Sequence, residues 1–330
     1  MANCKLAHGC LAFYEPLPDR ALRVFCFYGS GQSAVNLRHL AFPAGVERCL
    51  VELPGRGLRS GASSDGSALC HDLVAVAAEA ADALAPLCAE GPWTVWAYSL
   101  GCAIGFEFLR ALQQRRRQQQ QAWPPCRAFY LSVRRPPGMP VAPFVLPDGT
   151  ALGPVEELLR GSDPALLRAV GQYYGNPQLL AMLDNAAAAA AAAAGVEAEA
   201  GEATEAGEAA RAAREYVYGK LAPVVRNDMV LGNTAAECYW DPRYEDDEEL
   251  GGRNLDAVEI VAFAAGAASD VDSSADAVKG WAAVTVGAPF TLHTIAEATH
   301  DGVLRHPELH RVVNEHLRKL VDAARAARET

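Results

Sequence analysis

The chain has 330 residues, of which 51% are hydrophobic and 21% charged, a composition typical of a folded globular protein that excludes wholesale disorder. Forty acidic residues against 29 basic ones give a formal net charge of −11, which excludes the basic surface typical of nucleic-acid binding. No apolar stretch reaches the roughly 20 residues that a membrane-spanning helix needs.

The first residues and the cysteines predict a cytoplasmic protein. The N-terminal segment has neither the apolar stretch of a signal peptide nor the Arg- and Ser-rich character of a transit peptide. The nine cysteines, an odd number without a Cys-x-x-Cys pair, indicate reduced thiols that are buried as small hydrophobic residues.

The first 130 residues alternate short apolar strands with helices. Strands are predicted at 22–27, 49–53, 93–97 and 129–133, with helices at 70–88 and 100–112. This alternation indicates the α/β class, with a mostly parallel sheet and helices on both faces. The Gln- and Arg-rich segment 113–121 is expected to be a solvated loop, with a basic contact patch as the alternative.

The middle of the chain interrupts the sheet pattern. Residues 139–240 have helical periodicity and no convincing strand, so they predict a helical cap over the site. Within them, residues 186–213 open with nine alanines and contain almost no large apolar side chain, which favours a floppy or partly helical insertion. The acidic run at 245–249 lacks the spacing of a calcium loop, and we expect a solvated loop rather than a metal site.

The sheet pattern resumes near residue 258. Strands are predicted at 258–263 and 289–295, a helix at 274–284 between them, and a final amphipathic helix from about Pro307. The chain is therefore expected to have three parts. They are a first part of the core at 1–137, a helical cap at 138–240 with its insertion at 186–213, and a second part of the core at 241–330.

A serine stands between the third predicted strand and the helix after it. Ser99 has Ala97 two residues before it and Gly101 two residues after it, the pattern of a nucleophile elbow with Ala in place of the first Gly. So tight a turn needs small neighbours, and it leaves the N–H of Leu100 at a helix N-terminus, where a developing oxyanion is stabilised. The alternative is that Ser99 only caps the helix.

A serine nucleophile needs a general base, and in this fold the order along the chain is Ser, then Asp or Glu, then His. His300 follows the last predicted strand, where that base belongs, with an ordinary polar loop residue as the alternative. The other histidines precede Ser99 or lie in a strand or the last helix. The acid is expected in the loop after strand 258–263, where Asp270 and Asp272 compete and Asp270 is favoured.

The turn after the first predicted strand is expected to supply the second oxyanion donor. It reads Gly29-Ser30-Gly31, and its glycines allow the backbone to approach a substrate closely. We assign the donor to the Ser30 N–H, and we expect Gly29, Gly31 and Tyr98 to contact the substrate. A plain strand-to-helix turn is the alternative. No complete phosphate-loop or dinucleotide fingerprint is present in this turn.

Further stretches carry a resemblance to a known family. They are Phe25-Cys-Phe-Tyr-Gly-Ser-Gly-Gln-Ser-Ala34, Leu53-Pro-Gly-Arg-Gly-Leu-Arg59, Gly105-Phe-Glu-Phe-Leu-Arg110 behind the elbow, Phe129-Tyr-Leu-Ser-Val-Arg-Arg-Pro-Pro137, Leu221-Ala-Pro-Val-Val-Arg-Asn-Asp228, Asp270 eleven residues before Trp281, and Thr299-His300. In this order they resemble the type II thioesterases, stand-alone α/β-hydrolases of polyketide and nonribosomal peptide synthesis that are related to the medium-chain thioesterase of animal fatty-acid synthesis.

The resemblance implies an α/β-hydrolase fold with a helical lid. It implies hydrolysis of acyl thioesters on the phosphopantetheine of an acyl carrier protein or carrier domain, through an acyl-enzyme on Ser99. No metal or organic cofactor and no nucleic acid are expected to take part, and we expect a monomer. Four arginines are candidates for a basic rim that docks the carrier, with a solvated surface as the alternative. They are Arg56, Arg59, Arg134 and Arg135.

Two positions depart from the family pattern. The family usually has Gly-His-Ser-Met-Gly at the elbow and Phe after the histidine, whereas this chain has Ala97-Tyr98-Ser99-Leu100-Gly101 and Asp301. These departures bear on the shape of the pocket and on the rate. Two other interpretations therefore stay open, namely a carboxylesterase or lipase that acts on oxygen esters and a hydrolase-like binding protein without catalysis.

Overall fold

The fold is built around a seven-stranded sheet. The structure is a computed structural model, and it describes residues 6–60, 69–118, 123–139, 144–145, 150–200, 205–239, 254–267 and 271–329. The strands of these residues are β1 (Leu11–Ala12), β2 (Leu22–Phe27), β3 (Val46–Val51), β4 (Trp93–Tyr98), β5 (Cys126–Ser132), β6 (Phe144–Val145), β7 (Ala151–Gly153), β8 (Leu255–Asp256), β9 (Glu259–Ala265), β10 (Thr285–Val286) and β11 (Phe290–Ile295). The helices are α1 (Leu73–Ala89), α2 (Leu100–Gln118), α3 (Val155–Arg160), α4 (Asp163–Tyr173), α5 (Pro177–Ala200), α6 (Glu205–Arg214), α7 (Ala222–Tyr239), α8 (Ala275–Lys279), α9 (His300–Val303) and α10 (Pro307–Glu329).

The strand order in the sheet is β1-β3-β2-β4-β5-β9-β11, and every pair is parallel except β1 with β3. All residues of β2 and β4 are buried, as expected for parallel strands that are covered on both faces by helices. The α/β class and the mostly parallel sheet predicted from the sequence are confirmed.

The order of the strands determines where a site can form. From β2 the chain passes to β3 on one side, whereas β4, on the other side of β2, continues to β5, β9 and β11. The turns that follow β2 and β4 therefore diverge, which opens a crevice at the carboxyl ends of these two strands. The Gly29-Ser30-Gly31 turn and Ser99 both lie at this edge.

The helices between β7 and β8 have an apolar cluster of their own. It includes Leu166 of α4, Leu183 of α5 and Val225 of α7, all buried. A π-helical segment, Glu215–Leu221, leads directly into α7. The alanine run lies in α5, and its first residue, Ala186, is packed in the cluster. The boundaries of core and cap drawn from the sequence stay a prediction, and the acidic run at 245–249 lies outside the described residues.

Several element predictions were wrong in detail. Helix α2 continues to Gln118, through much of the expected loop, because Gln and Arg are good helix formers and Arg115 pairs with Asp82 at 2.8 Å. The cap region contains the hairpin β6–β7, whose strands are too short for an alternating pattern. The helix expected at 274–284 is divided between α8 and a 3₁₀ turn at Gly280–Ala283.

None of the helices in the described ranges is both long and apolar enough to cross a bilayer.

Candidate active site

Ser99 occupies a strained turn between β4 and α2. Its φ is +53°, in the left-handed region that residues other than glycine seldom adopt. Its N–H donates to the backbone oxygen of Ser132 at 3.0 Å. A Cβ at Gly101 would lie 2.5 Å from the Phe27 oxygen, so no side chain fits two residues after the serine. The backbone therefore has the conformation that a nucleophile elbow needs.

The alanine that replaces the usual glycine before the serine packs beside a glycine in α2. Ala97 is fully buried, and a Cβ on Gly105 would lie 3.5 Å from the Ala97 Cβ, which is an ordinary contact distance. The Ala97 methyl group is therefore packed between strand and helix without a close contact at Gly105. The substitution at position 97 is thus compatible with the left-handed conformation of Ser99.

His300 and Ser99 are brought together from positions 201 residues apart. The Nε2 atom of His300 lies 2.9 Å from the Ser99 Oγ atom, and both residues are buried. His300 begins α9, and the preceding Thr299 caps this short helix by accepting the Gly302 N–H. The ring of Tyr174, which follows α4, lies 4.6 Å from the imidazole ring, centroid to centroid, so the end of α4 packs against the base.

The other imidazole nitrogen, Nδ1, contacts Ser273, which was not predicted from the sequence as a site residue. The Ser273 Oγ atom, which is fully buried, lies 2.6 Å from His300 Nδ1. Asp270, the acid predicted for this side of the imidazole, lies outside the described residues, so its role stays a prediction. The only sequence signal for Ser273 is its place three residues after Asp270.

Asp272, the competing candidate for the acid, forms ion pairs inside the protein. Its carboxylate lies 2.7 Å from an Arg135 nitrogen and 3.5 Å from an Arg134 nitrogen, and Asp272 is 2% exposed. The Arg134 guanidinium also donates to the Gly232 oxygen of α7 at 2.7 Å. Arg134 and Arg135 therefore line the pocket beside Ser99. Arg135 is buried, so the expectation of an exposed docking rim was wrong for this residue, whereas Arg134 is partly buried.

The turn after β2 lies directly against the nucleophile. A Cβ at Gly29 would be 2.7 Å from the Tyr98 ring and 3.2 Å from the Ser99 Cβ, so only glycine fits. Gly31 has a φ of +71°, and its N–H donates to the Asp228 carboxylate at 2.7 Å. The Gly31 N–H is thus occupied, while Ser30 and Leu100 line the same pocket as Ser99.

A buried ion pair ties this turn to the cap. Asp228, on α7, pairs with Arg56 of the turn after β3, and both side chains are at most 2% exposed. Burial raises the pKa of the Asp228 carboxyl above its ordinary value, while Arg56 and the Gly31 N–H act in the opposite direction. The pairing explains why the Pro-Gly-Arg and Arg-Asn-Asp stretches occur together, and it removes Arg56 from the expected docking rim.

Among the described residues, the Cys102 thiol and the possible metal ligands are poorly placed for chemistry. Burial raises the pKa of the Cys102 thiol, in α2, to about 12, so it stays protonated at neutral pH. Within the described ranges, no cluster of three or more His, Cys, Asp or Glu side chains could hold a metal ion.

Arg59, the fourth rim candidate, donates to the Glu52 backbone oxygen at 3.1 Å and pairs with Glu79.

Known proteins resemble the chain in sequence and fold. The family model of the thioesterase domain matches residues 23–123. The RedJ thioesterase from the prodiginine pathway in Streptomyces coelicolor is 20% identical and superimposes with a TM-score of 0.57 over 91% of each chain. The type II thioesterase BorB from the borrelidin cluster is 19% identical, with a TM-score of 0.58 over 92% of this chain and 96% of BorB.

One curated relative is much longer than this chain. Indigoidine synthase from Streptomyces lavendulae is 30% identical over 95 residues, which make up 29% of this chain and 7% of that protein. The structural matches confirm the α/β-hydrolase fold predicted from the sequence, and with the family-model match they confirm the resemblance to type II thioesterases.

Proposed function

We propose that the chain is a thioester hydrolase that works as a type II thioesterase. The observation that carries this proposal is the 2.9 Å contact between Ser99 Oγ and His300 Nε2, at an elbow within the segment that matches the thioesterase domain. The NRPS/PKS pathways named for two further structural relatives, ClbQ and YbtT, suggest the substrate, an acyl group on the phosphopantetheine arm of an acyl carrier protein.

The first half of the reaction acylates the serine. His300 Nε2 takes the Ser99 proton as Oγ attacks the thioester carbonyl, and the resulting oxyanion is bound by backbone amides. We assign these donors to Leu100, whose N–H has no acceptor within α2 because it begins the helix, and to Ser30. The C–S bond then breaks, and His300 returns the proton to the departing phosphopantetheine thiolate.

The second half releases the acid. His300 removes a proton from water, which attacks the acyl-enzyme carbonyl, and the Ser99 Oγ leaves with the proton held by His300. We assign the orientation of the imidazole and the stabilisation of its charged form to Asp270, with Ser273 as a further polar partner of Nδ1. The arginine partners of Asp272 support this choice between the two aspartates. The scheme uses no metal or organic cofactor.

The proposed partner is a carrier protein that presents its arm to the pocket. Arg56 and Arg135 are buried and Arg134 is partly buried, so all three belong to the interior of this pocket and its turns. Docking would therefore use residues outside this set. In this proposal the enzyme works as a monomer, because one chain supplies every assigned residue, and we place it in the cytoplasm.

A comparison of two substrates tests the proposed reaction. We expect kcat/KM for an acyl-pantetheine thioester to exceed that for the matched oxygen ester, with release of the free carboxylic acid as the readout for both substrates. The same acyl group in both substrates keeps the contacts in the pocket matched. Faster hydrolysis of the oxygen ester would favour a carboxylesterase, and turnover of neither ester would favour a binding protein without catalysis.

A further inference from the structure

Two residues that depart from the type II thioesterase pattern contact each other beside the proposed base. The Tyr98 hydroxyl donates to the Asp301 carboxylate at 2.8 Å and lies 3.2 Å from the main-chain oxygen of His300. We propose that Tyr98 and Asp301 form a latch that holds His300 in position for proton transfer from Ser99. This inference rests on the proposed function, and it assigns both residues a positioning role.

The latch joins the chain segments that carry the two reacting groups. Tyr98 immediately precedes Ser99 at the end of β4, and Asp301 immediately follows His300 in α9. A bond between these neighbours therefore fixes the separation of the two backbones around Ser99 Oγ and His300 Nε2. Misplacement of a reacting group by about 1 Å can cost on the order of 10²-fold in rate.

The Tyr98 ring also restrains the imidazole laterally. The two rings meet edge to face, with centroids 5.6 Å apart and planes at 70°. On its other side the Tyr98 ring lies against Gly29, where a Cβ would approach to 2.7 Å. Tyr98 thus fills the space between the turn that carries Ser30 and the base, and at 2% exposure it is enclosed there.

Removal of one hydroxyl tests the latch. We expect Tyr98→Phe to lower kcat about 10- to 100-fold on an acyl-pantetheine thioester, with KM changed less than about twofold, because the ring still fills its site. Asp301→Ala should give a similar loss, and Tyr98→Phe/Asp301→Ala should be no worse than either single variant, since all three break the same bond. Asp301→Asn, which retains an acceptor oxygen, should recover most of the loss.

A buried tyrosine elsewhere provides the matched control. The Tyr130 hydroxyl, on β5, lies 3.0 Å from His316 Nδ1, so Tyr130→Phe deletes an equivalent buried contact on α10. We expect this control to leave kcat unchanged even if both variants lose thermal stability. Additive losses in the double variant, or an equal loss of kcat in Tyr130→Phe, would overturn the latch.

Labelling of the serine by a fluorophosphonate separates the latch from the proposed reaction, because the reagent needs an activated serine and no thioester. Slower labelling of Tyr98→Phe than of wild type supports the latch even if thioesters are not hydrolysed. Equal labelling of the two proteins overturns the latch and leaves the hydrolase intact. A wild-type protein that is neither labelled nor active on thioesters would overturn both proposals.

Discussion

Replacement of Ser99 by alanine is expected to lower kcat for thioester hydrolysis about 10⁶-fold, because the acyl-enzyme can no longer form. The thioester assay with purified protein measures this loss. The exchange removes one oxygen atom and retains the Cβ of the left-handed residue, so the melting temperature should change little.

Alanine variants of two other serines, Ser273 and Ser274, provide a comparison for this loss of activity. Ser273→Ala removes the hydroxyl beside His300 Nδ1 and should cost about tenfold in kcat, in the range of a single neutral hydrogen bond. Ser274→Ala removes the cap of α8 and should reduce stability by about 1 kcal/mol without an effect on kcat. If Ser99→Ala kept more than about one hundredth of wild-type activity, Ser99 would not be the nucleophile.

The two aspartates of the acid loop should respond in opposite ways to alanine. Asp270→Ala is expected to lower kcat about 10⁴-fold with little change in the free energy of unfolding, because an acid of this kind orients the imidazole and stabilises its charged form. Asp272→Ala leaves Arg135 and Arg134 without their buried carboxylate and should cost about 3–5 kcal/mol of stability.

Measurements of kcat and of urea unfolding on both variants decide the assignment. With activity corrected for the folded fraction, Asp272→Ala should retain kcat to within about tenfold. Full activity in Asp270→Ala, together with a loss of about 10⁴-fold in Asp272→Ala, would transfer the role of the acid to Asp272. The structural explanation of its arginine contacts would then be incomplete.

The parts of the site that follow local patterns could be predicted from the sequence. Ser99 is flanked by small residues between an apolar strand and a helix. His300 lies in the loop directly after the last predicted strand, whereas the later histidines lie at or in the final helix. The glycines of the Gly29-Ser30-Gly31 turn indicated a close approach to its backbone. The structure shows such an approach by Tyr98 and Ser99, which lie too near Gly29 for a side chain there. Each of these positions is determined by a steric or topological requirement that can be recognised from a few neighbouring residues.

The contacts between distant segments could not be predicted. Tyr98 and Asp301 are 203 residues apart, and in the sequence each looked like an isolated departure from the family pattern. Arg134 and Arg135 were candidates for a basic docking rim, but both pair with Asp272, which provides the partner that makes the burial of Arg135 possible. A partner of that kind is visible only after the chain has folded.

The central claim is that His300 activates the Ser99 hydroxyl, and mass spectrometry after fluorophosphonate treatment tests it most directly. We predict one adduct on the peptide that contains Ser99, no adduct in Ser99→Ala, and labelling slowed by at least about 10³-fold in His300→Ala. An unmodified Ser99 in the wild-type protein, or labelling of His300→Ala at the wild-type rate, would contradict the claim.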